Sequence, residues 1–306
     1  MGVPAAAPSG GRAYDSYLGG RPGTETDTAA VGPRASMNVM ALYPGPPERV
    51  ALEGLYMGDI PANGRSPFIY ANFLMSLDGR IAMRNANGRK GVPEAIANDR
   101  DWRLYTELLV QADAVLTTAH HARAIASGEQ QDMMAIAHKR YPDLRNYRRA
   151  RGLSGHPTCV VVSSRLDFPG AELKAAHPGP VVTVSPKVAD SCRVQSIRQA
   201  GVEIVTVDSP SHVTGHELLR VLAERELGRV YMIGGPRLFH SLLEDGVVQR
   251  LYLTIAARVL GGDRDIETLV RGPAFSVPAE AKLRRLVLDA ETQPQQLFTS
   301  YDLSAR

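Results

Sequence analysis

The stretch richest in possible chemistry runs from Arg229 to Asp245. Its first residues, Val230 to Ile233, form an apolar run of the length of a buried strand. The run breaks at Gly234-Gly235-Pro236 and passes into a helical pattern, with Leu238, Phe239, Leu242 and Leu243 on one face and Gly246 at its close. Strand, glycine pair and helix start in this order suit an anion. Glycine admits close backbone approach, and the free N–H groups and dipole of a helix start attract negative charge. Pro236 fits the first turn, where a missing N–H costs nothing. The same residues also read as a plain tight strand-to-helix turn.

Other reactive side chains follow other apolar runs. Asp78 lies in Ser76-Leu77-Asp78-Gly79-Arg80. It either orients a substrate or cofactor loop or caps its own turn. His120 and His121 follow the run Ala112–Thr118. Imidazoles titrate near neutrality and can supply a proton, and His121 is the candidate for that role. Both also read as exposed residues of a helix start. His120, Arg123 and Glu94 are candidate substrate contacts: Arg123 for an anion, Glu94 for an amidine edge. Asp99 reads more simply as a helix cap. No third ligand stands at metal spacing beside the histidine pair, and no metal site is expected.

Short apolar runs carry these residues. Strands are expected at 68–75, 112–118, 158–163, 181–185, 203–207, 229–233 and 249–258. Helices are expected at about 99–111, 119–126, 187–200, 213–226 and 236–245. Runs at 282–289 and 296–303, joined around Thr292-Gln293-Pro294, predict a final antiparallel hairpin at the sheet edge. Strands alternating with helices predict an α/β fold with a mixed, mainly parallel central sheet flanked by helices. Residues 1–36 are rich in Gly, Ala, Pro, Ser and Thr and are expected to be a disordered tail. Residues 37–66 are expected to be an ordered arm, and 67–306 a single domain. The polar stretch 129–151, with Lys139, Arg140, Arg145, Arg148, Arg149 and Arg151, reads as a solvated insertion rather than an anion patch.

The chain has 306 residues and a net charge of +3, too weak a bias to argue for nucleic acid. Cys159 and Cys192 have no metal or CxxC spacing and read as reduced core thiols. No apolar run reaches the ~20 residues of a membrane span. A soluble cytoplasmic protein is expected.

Three segments resemble a known family: Asn72-Phe73-Leu74-Met75-Ser76-Leu77-Asp78-Gly79-Arg80-Ile81-Ala82, Ala112-Asp113-Ala114-Val115-Leu116, and Ile233-Gly234-Gly235-Pro236-x-Leu238 leading to Val259-Leu260-Gly261-Gly262. In order and spacing they are similar to the reductase domain of the bacterial bifunctional riboflavin-biosynthesis deaminase/reductase. The resemblance covers roughly residues 67–303 and implies a dihydrofolate-reductase-like fold. It also implies NADPH as cofactor, reduction of the ribosyl chain of a phosphorylated aminopyrimidine by direct hydride transfer, and a homodimer. Met75 and Ser76 would meet the nicotinamide, and Thr117 and Thr118 would lie beside the cofactor. Ser163, Ser164 and Arg165 would hold the adenosine 2′-phosphate. Gly234, Gly235, Pro236 and Leu238 would cradle the pyrophosphate.

The substrate side departs from the family pattern. Ala95 stands where Trp is usual, Leu109 where Arg is usual, and Ile233 where an acidic residue is usual. Such changes remove hydrogen-bond partners of a polar substrate. A pterin or dihydrofolate reductase therefore stays open beside the pyrimidine reductase, as does a catalytically silent nucleotide-binding regulatory protein. No H-x-E with P-C-x-x-C spacing precedes the domain, so a reductase-type domain alone is expected.

Overall fold

The computed structural model describes residues 37–61, 66–84, 88, 90–129, 133–187, 191–262 and 266–304. The tail expected over 1–36 lies outside them. The apolar run after residue 67 forms β3 (Phe68–Ser76), and its composition explains its place. Ile69, Ala71 and Phe73 face one core, and Tyr70 faces another. A strand apolar on both sides needs cover on both sides and neighbours along both edges.

β3 has both. It pairs in parallel with β10 (Arg229–Met232) on one edge and β11 (Arg250–Ala256) on the other. Outward from β10 lie β6 (Ala114–Thr118), β7 (Thr158–Val162), β8 (Val181–Pro186) and β9 (Glu203–Val207), all parallel. Outward from β11 lie the antiparallel strands β14 (Gln296–Leu303), β13 (Ala281–Asp289), β1 (Asn38–Tyr43) and β2 (Glu48–Ala51). The order in the 11-stranded sheet is β2-β1-β13-β14-β11-β3-β10-β6-β7-β8-β9. A separate three-stranded sheet joins β12 (Ile266–Thr268), β4 (Arg80–Arg84) and β5 (Lys90–Gly91).

Helices cover both faces. α1 (Asp99–Leu109), α2 (Ala119–Ala126), α3 (Met133–Arg140), α4 (Pro142–Ala150), α5 (Gly170–Ala176) and α6 (Ser191–Gln199) contribute Leu104, Ala122, Met134, Leu144, Leu173 and Ile197 to one core. α7 (Gly215–Ala223) and α8 (Pro236–Glu244) cover the other face with Leu218, Leu222, Phe239 and Leu242. The sequence-expected class, mainly parallel and mixed with a C-terminal hairpin, is the class observed. Among the described residues no helix is long and apolar enough to cross a membrane.

Four expectations need correction. The hairpin β13–β14 is not the sheet edge, because β1 pairs with β13 and carries the sheet two strands further. α5 was not anticipated, because seven residues are too few for a helical period to show. Cys192 is exposed rather than in the core. Arg148 is fully buried rather than solvated. Its guanidinium donates to the carbonyls of Val110 and Ala112 at 2.9 and 2.8 Å and to Ser154 O at 2.6 and 2.8 Å. Those carbonyls lie between the end of α1 and the start of β6 and beyond α4, where chain ends leave acceptors without backbone partners.

α8, the helix after the glycine pair, is anchored twice. Phe239 packs on Phe73 of β3 with ring centroids 5.0 Å apart. His240 stacks on Phe275 at 4.6 Å, and its Nε2 lies 2.8 Å from Pro273 O. A Cβ on Gly272 would stand 2.3 Å from the His240 ring, so that segment crosses the imidazole at contact distance.

Replacing Arg148 by Met should leave its carbonyls buried and unpaired, costing about 3 kcal/mol of stability. The exposed neighbour change Arg149→Met should cost less than ~0.5 kcal/mol. Urea unfolding of the two variants beside the parent measures the difference.

Candidate active site

In a parallel sheet all strands end on one edge, and ligands gather outside their carboxyl ends. Here that edge runs β11, β3, β10, β6, β7, β8. The residues singled out in sequence fall on consecutive strand ends along it. Met75 and Ser76 end β3, Gly234 to Leu238 follow β10, Thr117 and Thr118 end β6, and Ser163 to Arg165 follow β7. Strands stand about 4.8 Å apart, so three steps give a row of about 14 Å. An extended dinucleotide can lie along such a row.

The two glycines do different work. A Cβ on Gly234 would meet Leu238 Cδ2 at 2.5 Å, so this glycine serves the packing of its own helix. Gly235 is the N-cap of α8 with φ −75° and ψ −178°, a backbone open to any residue. A Cβ there would meet nothing within 4 Å. Neither conformation nor protein packing demands glycine at 235, and the space beside it is free for a ligand. The first turn of α8 has no side-chain cap, and α2, starting beyond Thr118 on the adjacent strand, has none either. Both helix starts keep N–H groups available. At the end of β6, the Thr117 hydroxyl is fully buried with no hydrogen-bond partner among the described residues.

Further along the row, the Ser163 hydroxyl accepts from Leu166 N at 2.9 Å and shapes the turn after β7. Ser164 and Arg165 are exposed at its tip. Arg165 O accepts from Arg193 Nη1 at 2.9 Å, which brings a second cation to the same corner.

At the other end, Ser76 is fully buried. Its hydroxyl donates to Asp78 Oδ1 at 2.5 Å and accepts from Arg80 N at 3.0 Å. Asp78 also accepts from Leu260 N and Gly261 N at 3.1 and 2.8 Å. The Ser76 hydroxyl, then the Leu260 and Gly261 amides, hold this carboxyl far below the ordinary range.

His120 is exposed and His121 half-buried on the first turn of α2. Burial, with a smaller push from His120, lowers the His121 imidazole to about 4. It is neutral at pH 7 and holds no charge or ready proton there. Arg123 is tied to the loop after β7, donating to Asp167 O at 2.6 Å with its carboxylate at 3.0 Å. Glu94 is exposed in the turn before Ile96, which packs on Leu74 and Ala256 near the ends of β3 and β11. The structure thus brings the cofactor-type residues into one row. Glu94 and the histidines stand beside the row's ends and middle, and Arg123 is engaged with Asp167 in the loop after β7.

Sequence reasoning passed over Arg237. It is exposed in the first turn of α8, which holds no acidic residue. A cation at the positive end of a helix is unfavourable by about 0.3–1 kcal/mol unless an anion is present, and that mismatch is visible in the sequence.

Comparisons with known proteins agree with this architecture. The family model described as the RibD C-terminal domain matches residues 67–292. A curated relative from Methanothermobacter thermautotrophicus, a 2,5-diamino-6-ribosylamino-4(3H)-pyrimidinone 5′-phosphate reductase, is 27% identical over 77% of this chain and 97% of its own length. The solved structure of a pyrimidine reductase-like protein from Corynebacterium diphtheriae superposes with a TM-score of 0.60 at 21% identity, covering 83% of this chain and 99% of that one. RibD from Acinetobacter baumannii superposes with a TM-score of 0.53 at 16% identity over 78% of this chain and 58% of that one. These two likenesses are of fold.

The His121 shift has a checkable sign. Its folded-state pKa of about 4 lies below the unfolded 6.5, so the stability tied to neutral His121 is full above pH 6.5. That contribution is lost as pH falls through 4. A nuclear magnetic resonance titration should place the His121 midpoint near 4, and His121→Gln should flatten the loss of stability between pH 6.5 and 4.

Proposed function

Because this chain belongs to the RibD C-terminal domain family, we propose that it is an NADPH-dependent reductase of a pyrimidine that bears a phosphorylated ribosylamino chain. The curated relative's activity and the family match support a pyrimidine reductase of riboflavin biosynthesis. The observation that carries the cofactor reading is Gly235: a glycine that neither backbone nor packing requires, at an uncapped helix start.

A dinucleotide fits the row of strand ends. Gly235, Pro236 and the first N–H groups of α8 hold the pyrophosphate, with Arg237 adding a cation. Gly234 and Leu238 pack together to set the height of that turn. Thr117 and Thr118 line the middle. Ser164 and Arg165, with Ser163 shaping their turn, take the adenosine 2′-phosphate, for which a guanidinium and hydroxyls are suited. Met75 and Ser76 border the nicotinamide.

When bound, the reduced nicotinamide supplies the hydride. Its acceptor would be the C=N or C=O carbon of the ribosyl chain, with a proton taken up at the heteroatom. His121, neutral at pH 7, serves as a hydrogen-bond partner, and solvent supplies that proton. His120 and Glu94 flank the substrate, while Arg123 braces the loop after β7 through Asp167. The protein's own contribution is placement and charge complementarity.

Calorimetric titration with NADPH and NADH tests this reading. Gly235→Ser, which keeps a good N-cap residue, should stay as stable as the parent yet weaken NADPH by at least about tenfold, the equivalent of ~1.4 kcal/mol. Unchanged affinity in that variant would remove the pyrophosphate cradle. Arg165→Ala should weaken NADPH by about tenfold or more and leave NADH within about twofold, because only NADPH carries the 2′-phosphate. A purified enzyme that binds neither nucleotide would end the oxidoreductase reading.

A further inference from the structure

β3 and β11 run in register to their last residues, Met75 opposite Ile255 and Ser76 opposite Ala256. Beyond that register the chains part. β3 enters the turn at Leu77–Gly79, and β11 enters the loop from Ala257 to Gly262. Nothing in a sheet's hydrogen bonding fixes two diverging exits, yet these two are tied together tightly.

Asp78 is the tie. Its Oδ1 accepts from Ser76 Oγ at 2.5 Å and from Leu260 N at 3.1 Å. Its Oδ2 accepts from Gly261 N at 2.8 Å and faces Arg80 Nε at 3.5 Å. Leu77 N adds a bond to Arg258 O at 2.7 Å, and Arg80 Nη2 one to Gly262 O at 3.3 Å. Gly261 and Gly262, at φ +68° and +91°, give the loop the left-handed turns that bring its amides onto the carboxylate. Two large aliphatic side chains stay exposed at this rim, Leu77 at 58% and Val259 at 72%.

We propose that Asp78 is a positioning residue: its carboxylate clamps the loop after β11 to the end of β3, fixing the wall beside which the cofactor's nicotinamide end and the substrate carbon are brought together. The inference rests on the reductase reading above. Hydride transfer depends on the separation and angle of two carbons, so a wall that shifts by an ångström lowers the rate without abolishing binding. The clamp joins residues 182 and 183 positions apart in sequence, so no local element can replace it. Every donor that meets Asp78 keeps its carboxylate ionised, which separates this role from that of a proton donor.

The test compares the parent with Asp78→Asn and Ser76→Ala, using NADPH and the ribosylaminopyrimidine phosphate. Amide hydrogen exchange at Leu260 and Gly261 is followed alongside the kinetics. For Asp78→Asn, kcat should fall by about 10²-fold, the scale of a misplaced reacting pair, with the KM for NADPH within about threefold. Exchange at both amides should quicken. Ser76→Ala should move both readouts in the same direction by less. The shape of the pH–rate profile should be common to all three proteins.

An unchanged kcat per folded molecule in Asp78→Asn, with faster exchange, would overturn the proposal and leave a purely structural tie. Loss of a limb of the pH–rate profile in that variant would overturn it in favour of a proton-transfer role. A parent that binds NADPH but turns over no pyrimidine would overturn the reductase reading and the proposal with it. A parent that turns over beside an unaffected Asp78→Asn would overturn the proposal alone.

Discussion

The complete enclosure of β3 is the constraint from which the rest follows. It is hydrogen-bonded along both edges and apolar on both faces, so it has one place to sit, the middle of the sheet. The chain leaves β3 and builds β6 to β9 outward, keeping a gap one strand wide. β10 returns to fill that gap, and β11 takes the other side. This winding puts the start of α8 directly beside the end of β3, although more than 150 residues separate them in sequence. Tyr70 and Tyr231, directly opposite in register and stacked at 5.1 Å, lock the inserted strand against the first one.

The two ends of the sheet treat polar groups in opposite ways. At the amino ends of the parallel strands, polar groups are matched. Asp113 takes a paired contact from Arg229, at 2.6 and 3.1 Å, together with its backbone amide. Arg148 fills a nest of carbonyls. Buried Glu107 accepts from Arg103 Nε at 2.8 Å and from the amides of Gly54 and Tyr56, docking the chain that precedes β3 onto α1. At the carboxyl ends, a buried hydroxyl goes unpaired, two helix starts go uncapped and a glycine leaves open volume. Unmet hydrogen-bonding capacity costs stability.

What the sequence made legible was local. The run Val230–Ile233, its glycine break and the amphipathic pattern behind it declare strand, turn and helix within 16 residues, and the structure keeps them. β1 and β2 did not declare themselves, because they are short and partly exposed, and β1 owes its extended form to pairing with β13 over 240 residues away and β2 to pairing with β1. Within the site, Gly234 and Gly235 look alike in sequence, and only the position of Leu238 tells a packing glycine from one that leaves space. Two of the partners of Asp78 lie in a distant loop, so its neighbourhood in sequence left a loop-orienting role and a plain turn both open. The neutrality of His121 comes from burial, which no spacing records. Arg148 sits in a run of basic residues, and nothing in that run marks it as the one turned inward.

Gly272 carries a lesson about inheritance. It is exposed to solvent, and surface positions ordinarily accept almost any replacement. Yet every amino acid other than glycine would bring a Cβ to within 2.3 Å of the His240 ring. That ring cannot step aside while it is stacked on Phe275 and bonded to Pro273 O. Every missense change of this codon therefore pushes on α8, and through α8 on the first turn that holds Gly235. A surface loop is thus a place where random drift reaches the start of α8 without altering a residue of that helix.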